Sequence, residues 1–149
     1  MSIWWSLHLR REAASVPLAR RLLLGTMETA GVDPDVSYDL SVALTEACAN
    51  AVEHGGAAGG RFGPASEAYR VTAYLDGETC RIEVADSGPG FPGPAPVPPA
   101  DTYAEHGRGL RLIEELADHV HVGRTGRGGA LVSFDKLLKW RPDAPLALA

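Results

Sequence analysis

Apolar residues change period several times along the chain, and each change marks an element. Ile3–Arg11 ("IWWSLHLRR") partly alternates and is rich in aromatics, which predicts an opening strand. Val16, Leu18, Leu22, Leu23 and Met27 then take up a helical spacing, with Ser15 as the expected N-cap, Pro17 in the first turn and Gly31 as the stop. A second helix starts at "DPD", Asp33 capping and Pro34 at the first helical position. Its apolar face comprises Val36, Leu40, Ala43, Leu44, Ala47, Cys48 and Ala51. After a Gly/Ala-rich loop (Gly55–Gly63), Val71, Ala73 and Leu75 alternate, as do Ile82 and Val84, around Asp76-Gly77. That pattern predicts a hairpin. A third helix is expected over "RGLRLIEELADHV", with Leu110, Ile113, Ala117 and Val120 on one side. "HVHVGRT" and "ALVSFDKLL" read as a closing hairpin around "GRGG".

Between the first hairpin and the third helix, six of the eleven prolines fall from Pro89 to Pro99, which excludes a helix or a central strand there. A loop of this length inside a domain marks a lid or a linker. The expected organisation is therefore one domain over residues 1–140, with a lid at about 87–108 and a frayed tail over 141–149. The fold class is α+β, with helices on one face of a mostly antiparallel sheet.

Composition narrows the function without naming it. The 149 residues carry a formal charge of −5, which argues against a sequence-independent grip on nucleic acid. No apolar run approaches the length of a membrane span, and no secretory signal opens the chain. The two cysteines, Cys48 and Cys80, read as small buried side chains in a reducing compartment, so the expected location is the cytoplasm.

The chemistry lies in "TEACANAVEHGG" (Thr45–Gly56). Glu46, Asn50 and His54 recur every four residues and form a stripe along the margin of the apolar face. A stripe there is half-buried and looks into a cleft, whereas Asp39 and Glu53 lie further round and are expected to be solvated. A carboxylate and an amide one turn apart offer a base beside a neutral oxygen ligand suited to Mg²⁺. From the helix alone, the alternative that both groups only satisfy nearby backbone stays open. "DSGPG" then ends a strand with Asp86 followed by Gly88 and Gly90, where backbone can approach a planar ligand and a carboxylate can accept from an amine. "GRGL" (Gly107–Leu110) opens a helix, an anion-binding arrangement to which Arg108 adds a cation.

In this order, Glu46-x-x-x-Asn50, Asp86-x-Gly88-x-Gly90 and Gly107-x-Gly109-Leu110 resemble the signature of the GHKL ATPase/kinase superfamily. The phrases "TEACANAVEH" and "GRGLRLIEELAD" resemble the bacterial anti-sigma-factor serine/threonine kinases, over about Leu7 to Phe134. The resemblance implies a two-layer α/β sandwich of the Bergerat type holding ATP under a mobile lid. It implies that Glu46 is the general base, that Asn50 binds Mg²⁺ and that Asp86 receives the adenine amino group. Gly88 and Gly90 would shape the adenine pocket, Gly107, Arg108 and Gly109 would wrap the phosphates, Leu110 would seat the helix, and His54 would touch the lid or the phosphates. Implied partners are a sigma factor and an anti-anti-sigma (STAS-domain) protein phosphorylated on serine or threonine, with the kinase a homodimer. The sequence departs from the family at Ala130, where a water-holding threonine often stands, and in the proline richness of the lid.

Two other functions compete. A nucleotide-sensing module could sequester a regulator without phosphorylating it. A histidine-kinase catalytic domain would need a phospho-acceptor helix pair, which these residues do not supply. His119 and His121 alternate on a strand without further ligands and are expected on an exposed face. Trp4 and Trp5 mark either a dimer surface or core. Arg10-Arg11 and Arg20-Arg21 read as solvated faces, the second pair open to an acidic partner. "PAPVPP" has the look of an SH3 ligand, but its place between two nucleotide motifs makes it lid.

Overall fold

The computed structural model describes residues 2–54, 68–86, 109–124 and 129–144. The Gly/Ala-rich loop, the expected lid, the "GRGG" turn up to residue 128 and the last five residues lie outside them.

Strand β1 (Ile3–Arg10) leads through a 3₁₀ turn (Ala13–Ser15) into helix α1 (Val16–Ala30) and then α2 (Pro34–His54). β2 (Ala68–Leu75) and β3 (Thr79–Asp86) form the first hairpin, and β4 (His119–Arg124) and β5 (Ala130–Leu137) the second. Helix α3, residues 109–116, stands between the hairpins. The strands form one sheet in the order β1-β2-β3-β5-β4, and all four pairings are antiparallel.

The core lies between one face of this sheet and the helices. Period-two alternation sends Tyr69, Val71, Ala73 and Leu75 of β2 and Cys80, Ile82 and Val84 of β3 inward. Leu40, Leu44, Ala47 and Cys48 of α2 and Ala19, Leu23 and Met27 of α1 meet them, each at most 1% exposed. Burying so much aliphatic surface is the dominant stabilisation. Burial pushes the thiols of Cys48 and Cys80 up to about 12, so both stay protonated small hydrophobes.

The helix signals act as expected at α2. Asp33 Oδ1 accepts from Asp35 N at 2.8 Å, and Gly31 stops α1 in the left-handed region at φ 92°. Ser15 departs from its expected role. It has helical backbone angles and makes no cap; its hydroxyl donates to Glu12 O at 2.7 Å and meets Tyr69 Oη at 2.6 Å. A buried phenol needs a partner more than an exposed helix end does, since water can satisfy the helix end.

Three further expectations are corrected. The third helix stops at residue 116, so Ala117 lies beyond it and Val120 belongs to β4. Asp118 N already donates to Asp135 O, and Leu137 N donates to the Asp118 carboxylate, so sheet pairing takes over the chain there. Asp39 is not simply solvated: Lys136 Nζ lies 3.7 Å from its carboxylate and donates to Leu116 O at 2.7 Å, stapling α2 and the end of α3 to β5. The segment from Arg141 to Ala144, expected to fray, is docked. Arg141 N donates to Gly31 O, Arg141 Nη2 donates to Glu28 O, and Ala144 is fully buried.

Candidate active site

Glu46 and Asn50 lie one turn apart on α2, and both are half-buried, as a margin stripe requires. The structure adds what packs against them. A Cβ built on Gly109, the first described residue of α3, would lie 3.3 Å from Glu46 Oε2, 3.2 Å from Asn50 Nδ2 and 3.4 Å from Asn50 Oδ1. The carboxylate and the amide therefore converge on one point at the start of α3. Among the described residues the only glycine with positive φ is Gly31, so Gly109 is required for space, not for backbone conformation.

The helix layer and the sheet close this region from two sides. Leu110 is 9% exposed and Ile113 fully buried, which holds the start of α3 against α2. Gly109, the first described residue of α3, thus approaches the Glu46–Asn50 pair. Asp86 ends β3, half-buried, on the helix-facing row directly opposite Tyr69. Carrying the β3–β5 register one step past Ala85↔Leu131 sets Ala130 on its other side. The helix-facing row at this end of the sheet is then Tyr69, Asp86 and Ala130: a phenol, a carboxylate and a methyl.

Tyr69 was not singled out by sequence. Burial pushes its phenol up to about 12, and its hydroxyl is held by Ser15 beside the Cys48 thiol, so it is a neutral, fixed wall next to Asp86. A tyrosine alternating with aliphatics on a strand was the available signal.

Of the remaining expected residues, His54 closes α2 on the same stripe, and its side chain lies outside the described residues, as do Gly88, Gly90, Gly107 and Arg108. His119 and His121 are exposed, with His119 Nδ1 2.7 Å from Asp135 Oδ1. Among the described residues no three His, Cys, Asp or Glu side chains group as a metal cluster.

The described residues form a two-layer sandwich with a carboxylate–amide pair against Gly109 of α3 and an aspartate ending β3. The chain belongs to the Histidine kinase-like ATPase domain family (HATPase_c_2), which matches residues 9–136. It is similar to the Serine-protein kinase RsbW of Bacillus licheniformis, 35% identical over 132 residues that cover 83% of this chain and 78% of that one. The RsbW of Bacillus subtilis (strain 168) is 31% identical over 131 residues, with the same coverage. Among solved structures, the RsbU and RsbW domains of Rv1364c from Mycobacterium tuberculosis match with a TM-score of 0.64 at 24% identity. That match covers 91% of this chain and 33% of the solved one, and it shows the shared fold.

Proposed function

We propose that this protein is an ATP-dependent serine/threonine protein kinase and anti-sigma factor. It binds a sigma factor and phosphorylates an anti-anti-sigma (STAS-domain) partner, acting in the cytoplasm as a homodimer. The observation that carries the reading is the convergence of Glu46 and Asn50 on Gly109, which unites two motifs far apart in the chain. Membership of an ATPase-domain family and the similarity to proteins named serine-protein kinases supply the nucleotide and the reaction class.

In this reading Glu46 takes the proton from the acceptor hydroxyl as its oxygen attacks the γ-phosphorus, and ADP leaves. Its half-buried carboxylate stands at the point where α2 meets the start of α3, so base and phosphate-binding helix end share one space. Asn50 would hold Mg²⁺ through its amide oxygen, and the cation, when bound, supplies charge neutralisation on the phosphates. Asp86 would receive the adenine amine, walled by Tyr69. His54, Gly88, Gly90, Gly107 and Arg108 would complete the phosphate and adenine contacts. No helix among the described residues is long and apolar enough to cross a membrane.

The test is the pair Glu46→Ala and Asp86→Asn, assayed for Mg·ATP binding by calorimetry and for phosphate transfer to the cognate STAS protein. Glu46→Ala retains binding and loses transfer, and Asp86→Asn loses binding. Normal transfer by Glu46→Ala sinks the base assignment. Stable regulator binding by the wild type without any transfer favours the non-catalytic switch, which the methyl of Ala130 beside Asp86 motivates.

A further inference from the structure

Helix α3 spans only eight described residues, 109–116, or about two turns. A helix of that length is held by what packs on it, not by its own hydrogen bonds. Near its middle Ile113 is fully buried and fixes it against the core. The two ends are set by different contacts. At the start, Gly109 meets Glu46 and Asn50. At the far end, Lys136 Nζ donates to Leu116 O at 2.7 Å and lies 3.7 Å from Asp39 Oδ2 on α2. The last carbonyls of a helix lack partners within it, and a cation is a favoured cap for them.

Lys136 stands where the sheet otherwise carries apolar side chains. It is on the helix-facing row of β5, an interior strand, paired with the buried Cys80 and following the buried Phe134 on the same row. Its side chain is 19% exposed. An aliphatic residue there would pack with no charged group to desolvate. It would also leave the end of α3 without a partner. Only a long side chain with several donors reaches the Leu116 carbonyl and the Asp39 carboxylate together.

The spacing of these contacts matches on the two helices. Asp39 and Glu46 are seven residues apart on α2, and Gly109 and Leu116 are seven apart on α3. At about 1.5 Å per residue each span is about 10 Å. Helix α3 therefore runs antiparallel along α2 with one contact at each end and Ile113 between them. A tilt that lifts Leu116 is returned at Gly109, where the fit to Glu46 and Asn50 leaves only a few tenths of an ångström. We propose that Lys136 is a positioning residue for phosphate transfer: by holding the end of α3 to Asp39, it sets the start of α3 against Glu46 and Asn50. It stands about 10 Å from the base and acts only through α3. This inference rests on the kinase reading above and adds to it a residue that the reading does not contain.

The experiment is single-turnover transfer to the cognate STAS protein over a range of acceptor concentrations. Lys136→Met lowers the maximal rate about tenfold and leaves the half-saturating acceptor concentration within about twofold. Lys136→Arg, which keeps a cationic donor, recovers the rate to within about threefold of wild type. Lys139→Met removes the same charge from an exposed neighbour and changes nothing. Asp39→Asn keeps the bond to Leu116 O and loses about threefold, so the test stands even where Lys136→Met does not fold. In a Gly109→Ala background Lys136→Met loses less than about threefold, because both changes act on one contact. No loss in Lys136→Met, an equal loss in Lys139→Met, or the full tenfold in the Gly109→Ala background each overturns the proposal. The second measurement is amide exchange without nucleotide. The Ala117 amide, which donates to Ile113 O at 2.9 Å, exchanges about tenfold faster in Lys136→Met while the amides of β2 keep their rate. A wild type that transfers phosphate, with Lys136→Met equally active, refutes this inference and leaves the kinase reading intact. A wild type that transfers none fails the kinase reading, and exchange then decides: faster exchange at Ala117 upholds the hold of Lys136 on α3, and unchanged exchange overturns it.

Discussion

Replacing Gly109 by alanine tests the site geometry at the atom that defines it. The added methyl would lie 3.2–3.4 Å from Asn50 Nδ2, Glu46 Oε2 and Asn50 Oδ1, so these groups must retreat by a few tenths of an ångström. Overpacking of this kind costs about 1 kcal/mol or more. Alanine, however, gains up to about 1 kcal/mol in helix propensity over glycine. Global stability should therefore fall by about 0–2 kcal/mol, a shift of a few degrees in Tm, at most about 8 °C. Catalysis has no such offset. In the proposed reaction, displacing Glu46 and Asn50 from their places raises the barrier by about 1.4 kcal/mol, or about tenfold in transfer rate. The assay is single-turnover phosphate transfer to the STAS partner beside a thermal melt. Gly77→Ala serves as control, because a Cβ there meets nothing within 4 Å. A transfer rate within twofold of wild type in Gly109→Ala, with the melt unchanged, would refute the reading that Glu46 and Asn50 act where they meet α3.

Three other outcomes follow from single features. Ala130→Thr restores a hydroxyl beside Asp86 and should tighten ATP binding by about 1 kcal/mol, about fivefold, measured by calorimetry; an unchanged affinity would remove Ala130 from the adenine wall. Gly31→Ala places a Cβ in the left-handed region at φ 92° and should cost about 1–2 kcal/mol, lowering Tm by about 2–8 °C. The thiols of Cys48 and Cys80 rise from 9.0 to about 12 and the Tyr69 phenol from 10.0 to about 12 in the folded protein. The unfolded chain therefore deprotonates first, so stability is full below pH 9 and falls between about pH 9 and 12; denaturant melts across that window should show the loss.

The elements were legible because their signals are local. Apolar period, the Asp33 cap and the Gly31 stop each act within a turn of chain, so α1 and α2 form where they are expected. The Glu46–Asn50 stripe could be placed at the margin of a buried face from the helical period alone, and the structure finds both residues half-buried. Where local signals competed with distant partners, the distant partners prevailed. Ser15 left its cap for the Tyr69 phenol, and Val120 left its helical period for a strand whose neighbour, β5, lies later in the chain. Arg141–Ala144, polar and proline-marked, docked because the α1–α2 junction offered carbonyls for Arg141.

By itself the sequence determined the helices, the two hairpins and the side of α2 that bears Glu46 and Asn50. These rest on spacing, which is fixed by 3.6 and 2.0 residues per repeat. Only the tertiary structure decided that β5 enters between β3 and β4, which sets Asp86 between Tyr69 and the position of Ala130. It alone brought Gly109 against Glu46 and Asn50. Such contacts join residues far apart in the chain, and they depend on how whole layers pack, so no local pattern encodes them.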